Sequence, residues 1–145
     1  MQKANESDYL AEIYRGSLMG VETIDMILPK VNDAELKNEL QREQSVYNKF
    51  KEKAVAEMHR RHDDPEDLPK MQEFGAWMGV QLNTMMDSTS SHIADLMIQG
   101  NNMGVIGITK TKNAHPDASS QITDLADELI KIQEDNIEKL KPFLR

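Results

Sequence analysis

Glu43 is the side chain whose position most demands a chemical explanation. In the stretch 33–62, Leu36, Leu40, Glu43, Tyr47, Phe50, Ala54 and Met58 recur at helical spacing and fall on one face. An unpaired carboxylate on that apolar stripe costs several kcal/mol, so Glu43 needs partners or a proton. Ser17, Tyr47, Gln133 and Asn136 are expected at the same level of a helical core. One reading is a hydrogen-bonded polar layer that fixes the register between helices. The other is a small polar pocket of Ser17, Glu43, Tyr47, Gly100, Gln133 and Asn136, in which Glu43 binds a cation or a ligand group. A neutral Glu43 with a raised pKa fits either reading. A helix rotated out of this phase would leave Glu43 solvated instead.

The other chemistry-bearing residues are fewer. Gly100, Gly104 and Gly107 line the apolar face of the stretch 90–112, where each glycine costs ~1 kcal/mol relative to alanine. Close helix approach or a cavity for a ligand would each account for that cost. His59 and His62 stand three residues apart beside Asp63 and could share a metal ion; as basic residues they also complement the negative end of a helix. His92 is expected to satisfy a local hydrogen bond, and His115, before Pro116, to be solvated. Methionines cluster in 71–103, where core filling is their commoner use than copper ligation. No nucleophile sits beside a base, and no phosphate loop is present. The sequence therefore gives no catalytic residue and no cofactor site, and its only metal-ligand candidates are Glu43, His59 and His62.

These residues must be positioned by helices. Proline and glycine punctuation separates segments rich in Ala, Leu, Met, Glu, Lys and Gln, and none alternates with the period of a strand. Helices are predicted over 6–28, 33–62, 70–86, 90–112 and 117–141. The break at 87–91 is a run of short polar residues with Thr89 as the N-cap. The first helix turns Leu10, Ile13, Ser17, Val21, Ile24 and Leu28 inward; the last turns Ile122, Leu125, Leu129, Ile132, Asn136 and Leu140. The segment 70–86 carries its own apolar face, from Met71 and Phe74 to Met78, Leu82 and Met85. A single all-α domain over 1–145 follows, with four long amphipathic helices as a four-helix bundle. The fifth, shorter helix either lies in a long crossover between the second and third of them, or continues into the third as one bent helix.

The pattern Ser91-His92-Ile93-Ala94, Met97-Ile98-Gln99-Gly100 and Met103-Gly104 resembles an uncharacterised bacterial group of the ferritin-like superfamily, over nearly the whole chain. The resemblance implies a ferritin-like bundle with the extra helix in the crossover. It also implies a di-metal centre, with a carboxylate from each of two helices and Glu-x-x-His from each of the other two. This chain departs from that set. The first helix offers Ser17 inward, with Glu22 roughly 140° away on the wheel and Asp25 at the edge. The second offers Gln44 and Tyr47, or Glu43 and Val46; the third offers glycines; the fourth offers Gln133 and Asn136. One inward carboxylate and no inward histidine cannot complete two metal shells.

The chain of 145 residues carries 17 Lys+Arg against 25 Asp+Glu, a net charge of −8, and no cysteine. Disulfides, thiolate metal sites and thiol catalysis are excluded. The acidic balance argues against nucleic acid as a partner. No apolar run reaches the length of a membrane span, and the first residues lack a signal-peptide core, so a cytoplasmic protein is expected. Of the acidic residues, only Glu43 is committed to the core, so the charge reads as a solubility feature. Ile98, Val105 and Ile106 add a second apolar surface on 90–112, which suggests a homodimer, and a small-molecule ligand remains open.

Overall fold

A computed structural model describes residues 2–65 and 72–145, with side chains over 6–65 and 76–145. Five helices account for nearly all of it: α1 (Gln2–Ile27), α2 (Ala34–Arg60), α3 (Gln72–Asn83), α4 (Ser90–Ala114) and α5 (Ser120–Leu140). No strand occurs among the described residues. None of their helices is long and apolar enough to cross a membrane.

Each boundary has a local cause. Pro29 lacks an N–H and closes α1 into a short 3-10 turn over Leu28–Lys30. Asp33 caps α2 by accepting from the Glu35 amide at 2.9 Å. Thr89 caps α4, as its place in the polar run predicts, by accepting from the His92 amide at 3.2 Å. The end of α2 is less ordinary. His62 adopts a left-handed φ of 63°. Its amide reaches the His59 carbonyl at 3.0 Å and the Asp63 amide reaches the Met58 carbonyl at 2.8 Å. Those two bonds define a Schellman stop, a place where glycine is the usual residue.

Contacts at the helix ends set the directions. Arg61 Nη1 donates to Glu6 Oε2 at 2.7 Å, and Glu6 Oε1 accepts from the Ser119 amide at 2.9 Å. The rings of Tyr9 and His115 stack at 4.9 Å. The start of α1, the end of α2, the end of α4 and the start of α5 therefore meet at one end. At the other end, Ser90 Oγ donates to Asp33 Oδ2 at 3.0 Å, and the Arg145 amide donates to Ser91 Oγ at 2.9 Å. Helices α1 and α5 thus point one way, and α2 and α4 the other. The chain between α2 and α4 must return the length of the molecule, and α3, within it, packs against α1.

The core runs along the shared faces. All the inward positions expected on α2, from Leu36 to Met58, are buried, Glu43 included. On α5 the buried line is Ile122, Ala126, Leu129, Gln133, Asn136 and Leu140, with Leu125 and Ile132 half-buried at its edge. On α4 the expected glycine line is interrupted. Gly100 is buried and Gly104 half-buried, but Gly107 is exposed and an added Cβ would touch none of the described residues. Asn101 and Ile108 complete the buried face instead. Met71 and the Phe74 side chain, expected on the apolar face of α3, lie outside the described residues; Met78 and Leu82 are buried as that face requires.

Candidate functional site

Halfway along the helices, the apolar core gives way to a layer of polar side chains. Tyr47 on α2 is its hub. The Tyr47 hydroxyl donates to Asn101 Oδ1 on α4 at 2.8 Å, and Asn136 Nδ2 on α5 approaches the same oxygen at 3.4 Å. Asn101 Nδ2 donates back to the Met97 carbonyl at 2.8 Å, which fixes the amide's orientation. Burial, first, and the nearby Glu43 charge push the Tyr47 phenol up, so it stays a neutral donor.

Two glycines make the layer possible. A Cβ on Gly20 of α1 would lie 2.7 Å from the Tyr47 ring, so the ring rests directly on the α1 backbone. A Cβ on Gly104 would lie 2.4 Å from Gln133 Nε2, so α4 admits the α5 side chain only without a side chain of its own. Between these close approaches lies a cavity of ≈ 40 Å³. Tyr47, Asn101 and Gln133 supply its polar wall, together with Thr23 of α1. Gly16, Gly20, Gly100, Met97 and Met78 of α3 complete it, so every helix contributes. Two atoms of its lining residues, Thr23 Oγ1 and Gln133 Oε1, are buried without a hydrogen-bond partner.

Glu43 sits one helical turn before Tyr47 and is fully buried. Its two carboxylate oxygens have no donor. Burial, then a hydrogen bond to Glu39 and the Glu39 charge, push its pKa from 4.5 up to about 10, against a weaker pull from Arg42. A proton on Glu43 resolves the missing donor, because it supplies an O–H that Glu39 accepts. Burial works to raise Glu39 as well, but hydrogen bonds from Arg42 and Glu43 outweigh it and hold that carboxyl below the ordinary range. Arg42 grips Glu39 with two bonds, at 3.0 and 2.7 Å.

The residues expected to form one pocket divide into three groups. Tyr47, Gly100 and Gln133 line the cavity, and Asn136 joins through Asn101. Glu43 lies beside Tyr47 but is not among the lining residues. Ser17 is buried, yet its hydroxyl is spent on the Tyr14 carbonyl at 2.7 Å within its own helix. Asn101 and Thr23 are central and escape the sequence reading; polar residues at the margin of a glycine-rich or apolar face are the only trace they leave.

The two histidines ending α2 are exposed, and Asp63 accepts from Ser7 Oγ at 3.0 Å instead of joining them. His115 is half-buried against Tyr9, not solvated, with Nδ1 2.7 Å from the Thr111 carbonyl. No three His, Cys, Asp or Glu side chains converge among the described residues. The buried polar side chains at mid-height among the described residues are one carboxyl, a phenol, two hydroxyls and three amides. Gln44, in a ligand slot of the di-metal pattern, donates to the Val21 carbonyl at 3.1 Å and to Asp25 at 2.6 Å. Such a set lacks the negative charge two divalent ions require, so the residues present do not fit a di-metal centre. A larger open groove of about 450 Å³ beside the end of α4 mixes Asp8 and Glu12 with Arg15 and Lys110, and so selects no ligand charge.

Comparison of the chain with protein-family models, with curated proteins and with solved structures finds no match. The reading of the site therefore rests on its own chemistry.

Proposed function

We propose that this chain is a ferritin-like four-helix-bundle protein, with α3 in the crossover, that keeps the bundle without di-metal chemistry and serves a binding or structural role. One observation carries the proposal. Glu43 is the only acidic side chain buried among the described residues, and its carboxyl is held protonated where a metal centre would need it ionised. The opposed directions of α1 and α5 against α2 and α4 support the topology. The neutral layer of Tyr47, Asn101, Gln133 and Asn136 takes the place of ligands, pinning the register of the helices. Elemental analysis of protein purified without chelators tests this. Iron, manganese and zinc far below one per chain are expected, unchanged by Glu43→Gln. Near-stoichiometric metal that disappears in Glu43→Ala would establish an atypical metal site and overturn the proposal.

The same proposal takes the protein as a homodimer through the outer face of α4, where Ile106 is 47% exposed, Val105 is half-buried, and Ile98 is half-buried against the core. Light scattering is expected to give twice the chain mass; a monomer refutes this part.

A further inference from the structure

Resting on the metal-free reading above, we propose that the central cavity is a binding site for a small neutral molecule, either water or a primary amide of similar size. The molecule donates a hydrogen bond to Gln133 and pairs with the Thr23 hydroxyl. Three observations converge. First, the cavity has room: a water needs about 10–15 Å³ by this measure, and ≈ 40 Å³ admits about three such heavy atoms. Second, Thr23 Oγ1 and Gln133 Oε1 are unpaired, although both residues are 3% exposed. Buried polar atoms of this kind are rarely left unsatisfied in native proteins, so each calls for a partner that the described residues do not supply. Third, none of the described residues lining the cavity carries a charge, and Glu43 beside it is neutral, which disfavours an ion of either sign.

The chemistry of the two atoms narrows the ligand further. Gln133 Oε1 only accepts, so the ligand must offer an O–H or N–H there. The Thr23 hydroxyl donates or accepts, so it tolerates either an oxygen or a second N–H. Water and formamide both meet these demands. A hydrocarbon or a noble gas meets neither. Met78, the wall contributed by α3, is fully buried.

The test is proton NMR of the intact chain, with water alone, then with formamide, then with xenon. Long-lived water cross-peaks at Thr23 and Gln133 are expected. Saturable loss of those peaks with formamide identifies a site open to small amides; peaks that persist identify a site reserved for water, and both outcomes support the proposal. Absence of the peaks together with xenon entry would show a dry cavity and overturn it. The isosteric Thr23→Val variant reads the same question independently. In an occupied site it loses the cross-peaks and is no more stable than the parent. In a dry cavity it removes an unpaired hydroxyl and raises Tm, which again overturns the proposal. A metal at Glu43 would shift Glu43 and Tyr47 resonances and leave these cross-peaks in place, so failure of the metal-free reading is distinguishable.

Discussion

Replacing Glu43 by glutamine is expected to stabilise the protein at neutral pH, although it removes a buried residue's native chemistry. The folded carboxyl holds its proton up to about 10, whereas the unfolded one releases it near 4.5. Between those values the native state binds one proton more than the unfolded state, so stability falls as pH rises, by about 1.4 kcal/mol per unit. At pH 7 the two and a half units above 4.5 correspond to about 3 kcal/mol lost relative to mildly acid solution. Glutamine keeps the volume and the donor toward Glu39 but does not titrate. Its second N–H has no acceptor, which returns about 1 kcal/mol. The net expectation is a gain of about 2 kcal/mol at pH 7, vanishing or reversing near pH 4.5. Urea unfolding of both proteins from pH 5 to 9 measures it: the parent's stability should slope downward, and the variant's should be nearly flat. Parallel curves would refute the reasoning, because they would mean that Glu43 is ionised in the folded protein.

Three further predictions follow from other parts of the fold. Gly107→Ala should stabilise by up to about 1 kcal/mol, since its Cβ meets nothing, while Gly104→Ala should cost about 1–3 kcal/mol by displacing Gln133; urea midpoints give both signs. His62→Gly relieves the left-handed backbone that stops α2 and should gain about 0.5–1 kcal/mol, visible as a Tm rise of about 3 °C; a loss would mean the side chain has a role beyond the turn. Arg61→Met should destabilise at neutral pH, because the Arg61 hydrogen bond to Glu6 is the main cause holding that carboxyl below the ordinary range, and its bond to Glu57 adds to the larger effect of Arg60 there. Stability from such lowered groups is lost as pH falls through their folded pKa. Combined with the Glu43 slope, this places the parent's stability maximum near about pH 5, which a pH series of thermal melts checks.

Periodicity sufficed wherever a single helix decides the outcome. The inward line of α2 follows from spacing alone, and it exposed Glu43 because a charge among six apolar neighbours is visible without a partner. Thr89 was legible for the same reason: an N-cap is a local bond between residues three apart. What needed the structure depends on register between helices. Asn101 lies one position, about 100°, past Gly100, and only the reach of Tyr47 from α2 decides that it is buried. On α5 the buried line runs through Ala126 where the spacing had Leu125, and Gln133 fits because Gly104 of α4 leaves space for its longer side chain. Gly107 is equivalent to Gly104 in sequence, yet a Cβ there would meet none of the described residues. The stop at His62 was hidden because its signal residue, glycine, is missing.

The central claim is that Glu43, the one acid buried among the described residues, is a neutral hydrogen-bond donor and not a ligand. Carbon-13 titration of the Glu43 carboxyl, assigned by comparison with Glu43→Gln and followed with and without zinc, tests it most directly. The account predicts a carboxyl that remains protonated through neutral pH, titrates towards about 10 and ignores zinc. A Glu43 carboxyl that ionises in the ordinary glutamate range, or loses its proton on binding one equivalent of zinc, would contradict it.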